Sequence, residues 1–361
     1  MATQPILLAD LTCDAAEAVL APLGVPARAA RRIRMAAIRQ GAIPDSLAGV
    51  ADVTLARARA VVRVPRLTLE EKRVSPSDGF AKYLFRGETE DCFEAVRIPL
   101  LHRPGYEKYI VCVSSQAGCA MGCAFCATGR MGFRRDLATW EMVAQVAQVG
   151  ADSEHPVGGV VFMGMGEPLL NYDAVVRAAR IMSEPCGLAI SGKAITISTA
   201  GIVSGIRRMT AERLPFRLVV SLTSADPARR REMMPIEAAH PTAELMESLR
   251  SYHAATRRRV TLAWIMISGV NTVERDAMEL AALVKGLPVK VDLIDVNDPS
   301  GRFKAPSDDE RNAFRDALRR HLAAPVARRY SGGADIHAAC GMLAGARVDG
   351  MPSSLIHMCQ R

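Results

Sequence analysis

The stretch CVSSQAGCAMGCAFC, Cys112 to Cys126, places four of the chain's nine cysteines within fifteen residues. It starts inside an apolar run, Tyr109-Ile110-Val111-Cys112-Val113, that reads as a buried strand. Cys119, Cys123 and Cys126 follow at the spacing C-x3-C-x2-C, compact enough for one loop. A structural zinc site calls for a fourth cysteine or histidine at comparable spacing, and none lies nearby. Three thiolates on a tight loop instead suit a 4Fe-4S cluster with one iron unligated by protein. Such an iron can chelate a small molecule and pass it an electron. Cys112 stands outside this set, on the preceding strand.

Downstream, strand-like runs alternate with helical text. The strands are Gly159–Met163, Ala194–Ile197, Arg217–Val220, Val260–Ile265 and Val289–Ile294, with helices beginning near Thr139, Asp173, Gly201, Thr242, Thr272 and Asp308. Thr139 reads as an N-cap, with Glu141 in the first turn complementing the helix dipole. With the Tyr109 strand, six strands alternate with six helices, the signature of a parallel α/β architecture. Polar residues fall just past strand ends, at Gly166-Glu167, Ser198, Ser221 and Asn297, on the face where parallel folds carry function. Upstream, Asp14–Leu20, Ala27–Gln40 and Thr54–Val61 have apolar residues at helical spacing. Lys72–Phe85 reads as strand with a hairpin turn at Ser75–Gly79. The expected organisation is a helical accessory domain over 1–75, a hairpin extension and connecting loop over 76–108, the α/β body over 109–345, and a tail over 346–361.

Net charge is +8, carried mostly by arginine. Basic stretches occur at Arg28–Arg39, Arg57–Arg66, Arg134-Arg135, Arg229–Arg231, Arg257–Arg259 and Arg328-Arg329, with Arg28–Arg39 in the accessory domain the candidate for contact with nucleic-acid phosphates. Arginine's planar fork suits phosphate, so a polyanionic partner is one reading; a solvated surface is the other. No apolar run reaches the ~20 residues that span a bilayer, and the N-terminus lacks the pattern of a secretory signal. A cytoplasmic, monomeric protein with no membrane partner is expected. There, clustered cysteines more often bind metal or react than form disulfides. Cys13, Cys92, Cys186 and Cys359 show no partner pattern.

C-x3-C-x2-C with an aromatic residue, Phe125, before the last cysteine resembles the radical S-adenosylmethionine superfamily. Cys112-Val-Ser-Ser-Gln-Ala-Gly-Cys119 through Cys126-Ala-Thr-Gly129 is similar to its adenine-C2 RNA methyltransferases, which act on ribosomal and often transfer RNA. A sister group, the chloramphenicol–florfenicol resistance enzymes, methylates adenine C8. The resemblance continues in order through Gly164-Met-Gly166-Glu167-Pro168-Leu-Leu-Asn171, Ile197-Ser198-Thr199-Ala200-Gly201, Val220-Ser221-Leu222-Thr223 and Val296-Asn297. It ends at Ala339-Cys340-Gly341-Met342-Leu343. It implies a partial (βα)6 barrel, a 4Fe-4S cluster on Cys119, Cys123 and Cys126, and S-adenosylmethionine held by Gly166, Glu167, Ser198, Ser221, Leu222, Thr223 and Asn297.

The resemblance also implies a two-stage reaction. Cys340 accepts a methyl group, a radical formed from a second S-adenosylmethionine activates it, and the carbon adds to the adenine ring. Glu94 is the implied base, and Cys112 is the implied thiol that frees the product by forming a disulfide with Cys340. An electron donor such as flavodoxin or ferredoxin is implied as well. Several positions depart from the family pattern. Thr223 replaces a usual histidine and Met342 a usual glutamine, while Asp298–Lys304 is more charged than its counterpart. The Leu100–Lys108 connection is enlarged, and Val348–Arg361 is unusual. C8 chemistry, a non-ribosomal or small-molecule substrate, and a non-catalytic iron–sulfur or zinc RNA-binding module remain alternatives. The pair Cys112 and Cys340 argues against the last, since a binding module has no use for a methyl carrier.

Overall fold

A computed structural model describes residues 5–102, 104–298 and 300–345. Strands apolar on both faces are satisfied only within a sheet covered on both sides, and Ile195–Thr199 is buried at every position. The main sheet contains Thr68–Val74 (β1), Ala81–Arg86 (β2), Cys92–Leu100 (β3), Lys108–Cys112 (β4), Val157–Phe162 (β5), Ile195–Thr199 (β6), Arg217–Ser221 (β7), Val260–Met266 (β8), Val289–Asp295 (β9) and Val326–Arg328 (β10). These ten strands lie side by side in chain order. β4 to β10 are parallel, with Cys112 opposite Val161 and Ser198 opposite Val219. β1 to β4 are antiparallel. The six strands expected from the sequence are therefore present, in the radical SAM α/β fold that the resemblance implies, and a short seventh parallel strand extends the sheet.

Helices Thr139–Ala151, Tyr172–Ser183, Val203–Ala211, Thr242–Thr256, Glu274–Leu283 and Asp308–His321 follow the strands as expected. A further short helix, Pro227–Met233, is capped by the Asp226 side chain. The N-cap after β4 is Ala138, not Thr139. Glu141 Oε2 accepts from Ala138 N at 2.8 Å, and both its oxygens engage the Arg135 fork. The acid thus does the capping that the threonine was expected to do.

Helices Cys13–Leu20, Ala27–Gln40 and Asp52–Arg59 form an annex with its own core around Leu8, Leu20, Ala30, Ile33 and Leu55. Buried Arg34 fastens it to the body by pairing with Glu184 at 2.7 Å and donating to Cys186 O at 3.1 Å, while also donating to Leu11 O within the annex. Arg39 donates to Gly187 O, and Asp10 accepts from Trp140 N. The structure corrects the reading of Cys13 and Cys186: they form a disulfide across this junction, with Cα atoms 6.7 Å apart. A separation of 173 residues leaves no local spacing by which sequence could pair them. Arg34 likewise serves the junction rather than a solvated face, and Arg39 reaches the junction from an exposed position. Among the described residues no helix is long and apolar enough to cross a membrane. Cys359 and the tail lie outside the described residues.

Candidate functional site

Beyond β4 the chain turns through Gly118 at φ +74°, where a Cβ would sit 2.0 Å from Gly132 O. Cys119 N donates to Gly132 O and Cys126 N to Cys123 O, closing the loop. Cys119, Cys123 and Cys126 line one cavity together with Gly166, Glu167, Ser198, Ser221 and Cys340. Burial pushes the Cys119 thiol up to about 12 and raises Cys123 further, the latter opposed by the Arg230 guanidinium. Thiols in so poorly solvated a place are stable as thiolates only against a cation, and metal coordination supplies one. Among the described residues no three His, Cys, Asp or Glu side chains form a cage for a single metal ion. A cubane cluster is wider than one ion, and three cysteines around one cavity fit it.

The wall opposite the cysteines is the Gly164–Glu167 turn. Gly166 has φ +99°, and a Cβ there would meet Gln116 at 2.6 Å; one on Gly164 would meet Ser114 at 2.8 Å. The residues between Cys112 and Cys119 are therefore the bed of this turn. Ser114 Oγ accepts from Met165 N, and Gln116 Oε1 accepts from Glu167 N, both at 2.8 Å. Buried Glu167 accepts from Leu169 N at 3.0 Å and Ala200 N at 2.7 Å. Burial raises its carboxyl to about 7 despite these hydrogen bonds. A carboxylate so placed suits a cationic ligand group in the cavity.

Ser198 and Ser221 reach the same cavity from β6 and β7. Leu222 and Thr223 do not line it; both side chains are fully buried behind the β7 end. Thr223 has φ +63°, an uncommon conformation for a β-branched residue, and Ser224 N donates across it to Leu222 O at 2.7 Å. Asn271 holds its carbonyl, while its hydroxyl has no partner among the described residues. Asp298 organises the departing segment. Burial opposes its ionisation, but donors from Ser300, Phe303 N and Arg130 bring its carboxyl to about 2.

Asn297 contacts the C-terminal segment, reaching Ser331 Oγ at 3.3 Å and Cys340 O at 3.4 Å. That segment is held almost wholly through its backbone. Cys340 N donates to Ser331 Oγ, Ala127 N to Gly341 O, and Thr128 Oγ1 to Leu343 O. Cys340 also lines a second, smaller cavity with Cys112, Met163 and Arg329. Burial, and then the neighbouring Cys340, push the Cys112 thiol up to about 12; the Arg329 cation opposes them.

Glu94, on β3, lines neither cavity. It is fully buried, contrary to the usual strand glutamate, with Lys82 Nζ 3.0 Å from Oε1 and Ala344 N donating to Oε2 at 2.8 Å. The lysine contact is an ion pair without hydrogen-bond alignment. Sequence reading missed Lys82, Ser331, Met163, Arg329 and Arg230. Arg230 sits in a basic run but is fully buried, paired with Glu237 and donating to Ala200 O at 2.7 Å.

Residues 113–281 match the Radical SAM superfamily. The chain is 46% identical over 352 residues to a "Probable RNA methyltransferase" of Myxococcus xanthus, covering 95% of each chain. It is 42% identical over 275 residues to the "Dual-specificity RNA methyltransferase RlmN" of Syntrophobacter fumaroxidans, covering 75% of this chain and 78% of that one. Its fold matches the crystal structure of a radical SAM methyltransferase from Sphaerobacter thermophilus with TM-score 0.86 and 38% identity, over 95% of this chain and 100% of that chain.

Proposed function

The chain belongs to the radical SAM RNA methyltransferases, and we propose that it methylates C2 of an adenine in ribosomal or transfer RNA through a carbon unit carried on Cys340. The observation that carries this reading is that Cys340 lines both cavities, the one walled by Cys119, Cys123 and Cys126 and the one walled by Cys112. When bound, a 4Fe-4S cluster and S-adenosylmethionine supply the methyl group and the one-electron chemistry. In the proposal Cys119, Cys123 and Cys126 hold the cluster. Glu167 and the Gly166 turn receive the cofactor's amino end, and Ser198 and Ser221 line its remainder. Leu222 and Thr223 support that wall from behind, and Asn297 positions the Cys340 segment.

Cys340 accepts the methyl group, and its sulfur later bridges protein and base. Glu94 takes the ring proton; to reach it, the base must pass the Leu343–Ala344 backbone that Glu94 now holds. Cys112 then attacks the Cys340 sulfur as a thiolate, the sulfur–carbon bond breaks with its electron pair on the product carbon, which takes a proton to become the methyl group, and a Cys112–Cys340 disulfide remains for an external reductant. A Cys112 thiol raised to about 12 is a poor nucleophile at neutral pH. It therefore stays dormant until a proton acceptor is brought beside it.

The test is to purify Cys112→Ala with its cluster loaded and analyse what remains attached. A nucleotide joined covalently to Cys340 is expected, and its sequence context names the target. Unmethylated Cys340 with no adduct, in the presence of cofactor, would refute the reading.

A further inference from the structure

A larger cavity of ≈ 740 Å³ lies where the parallel strands begin. Its wall carries seven cations, Lys108, Lys193, Arg217, Arg258, Arg259, Lys290 and Arg329, against one acid, Asp292. Lys108 opens β4, Arg217 opens β7, and Lys193 stands just before β6. Lys290 occupies Asp292 at 2.6 Å, and Arg258 donates to the carbonyls of Leu214 and Phe216. Among the described residues, Lys108, Lys193, Arg217, Arg259 and Arg329 form no ion pair.

Several arginines outside the cavity are neutralised closely, as in Arg34–Glu184, Arg229–Asp276 and Arg311–Asp295. Five uncompensated cations around one hollow repel one another, and that repulsion is relieved by an anion. Lys108, Lys193, Arg217 and Arg259 are exposed and come from separate strand ends. A compact phosphate would call for convergent donors; cations dispersed along a rim suit a chain of phosphates. The cavity also adjoins the one that holds Cys340, sharing two lining residues with it. Met163 and Arg329 line both it and the Cys112–Cys340 cavity, with Arg329 Nη1 2.7 Å from Met163 Sδ. Val219 lines the basic cavity and belongs to the apolar cluster that packs Cys340.

We infer that RNA docks at the strand-start end of the barrel, its backbone phosphates against Lys193, Arg217 and Arg259, with the target base directed inward past Met163 and Arg329 to Cys340. This rests on the reading of Cys340 as a methyl carrier acting on RNA. Phosphate contacts of this kind fix position without reading sequence, which is left to the pocket.

The experiment uses the full chain carrying Lys193→Gln, Arg217→Gln and Arg259→Gln together. Binding of a fluorescein-labelled RNA hairpin with a loop adenosine is titrated across salt, and Cys340 methylation is read by intact mass. Each phosphate contact contributes about 0.7–0.9 to the slope of log affinity against log salt, so removing three should flatten it by about 2. Low-salt affinity should fall about 10- to 100-fold, with Cys340 methylation unchanged. The charge-conserving Lys193→Arg, Arg217→Lys, Arg259→Lys variant should keep the wild-type slope. An unaltered slope and affinity in the glutamine variant would overturn the inference. So would inorganic pyrophosphate binding the wild type tightly and displacing no RNA, since the cavity would then hold a small anion. Absence of methylated Cys340 in cluster-loaded wild type would sink the proposed function instead, while the binding arms still judge the cavity.

Discussion

The buried pair Lys82–Glu94 allows two roles of one carboxylate to be separated. Leu84 lies opposite Glu94 in the β2–β3 ladder, and Lys82 reaches it diagonally. The two side chains are 4% and 0% exposed, at 3.0 Å. Removing one partner leaves the other charge buried and uncompensated, which costs about 3–5 kcal/mol. Lys82→Met and Glu94→Gln should each lower stability by about that amount. Combining them removes both charges, and the glutamine carbonyl can still accept from Ala344 N. The double variant should recover to within ~1 kcal/mol of wild type, a coupling energy of several kcal/mol. Urea unfolding of all four proteins measures this. The refolded double variant then isolates the chemistry: lacking a carboxylate, it should bind RNA and accumulate the covalent Cys340 adduct, as Cys112→Ala does. A double variant as unstable as the singles would refute the ion-pair argument. One that is stable and turns over at the wild-type rate would refute Glu94 as the base.

Two further predictions concern titration. Glu167 is raised from 4.5 to about 7 in the folded chain, so its contribution to stability is full below 4.5 and is lost as pH rises through about 7. The size is roughly 3 kcal/mol; the stability difference between wild type and Glu167→Gln, both cluster-free, should shift by that much between pH 4 and 8, and a flat difference would refute it. Cys112, at about 12 against an ordinary 9.0, should react with iodoacetamide at pH 8 about a thousandfold more slowly than a free thiol of ordinary pKa, because only the thiolate reacts. Peptide mapping over time checks this, and labelling at a free-cysteine rate would contradict it.

Strand and helix periodicity carried most of the barrel, since residues 195–199 are apolar or small throughout and end in a polar pair. The antiparallel edge was only partly legible. β1 begins at Thr68, and its alternating charged residues Glu70, Glu71, Lys72 and Arg73 dilute the strand pattern. The cluster loop was readable because its ligands are close in sequence. The surroundings of Cys340 were not, because the side chains of Ser331, Asn297 and Thr128 and the amide of Ala127 grip only backbone atoms of its segment, which any sequence on that segment would offer. Basic runs misled most. Arg34 and Arg230 carry the same letters as Arg217 and Arg259, yet the first two are buried against carboxylates and the second two face an open cavity. Only packing separates these cases, since a charge run does not say which members have partners.

The placement of Cys112 on a strand, apart from the loop cysteines, has a physical reason in the partition between the cavities. Cys126, Met163, Gly164 and Cys340 line both of them, so one sulfur faces two compartments. The segment that carries it is pinned through Cys340 N, Gly341 O, Leu343 O and Ala344 N, contacts that leave the Cys340 side chain free to turn. Gly341 at φ +89° and Gly345 at φ +61° permit the tight path this needs. One cavity is lined by three thiols suited to a cluster; the other is lined by Cys112, anchored by the ladder opposite Val96 and Val161, with Cys126 shared between the two. Were Cys112 on the cluster loop, it could compete for iron or, in the proposed reaction, pair with Cys340 before any carbon was transferred. In the proposed reaction Cys112, held on β4 as a buried thiol whose pKa burial raises, does neither until the Cys340 sulfur carries substrate, and the compartment that this sulfur faces sets the order of the two half-reactions.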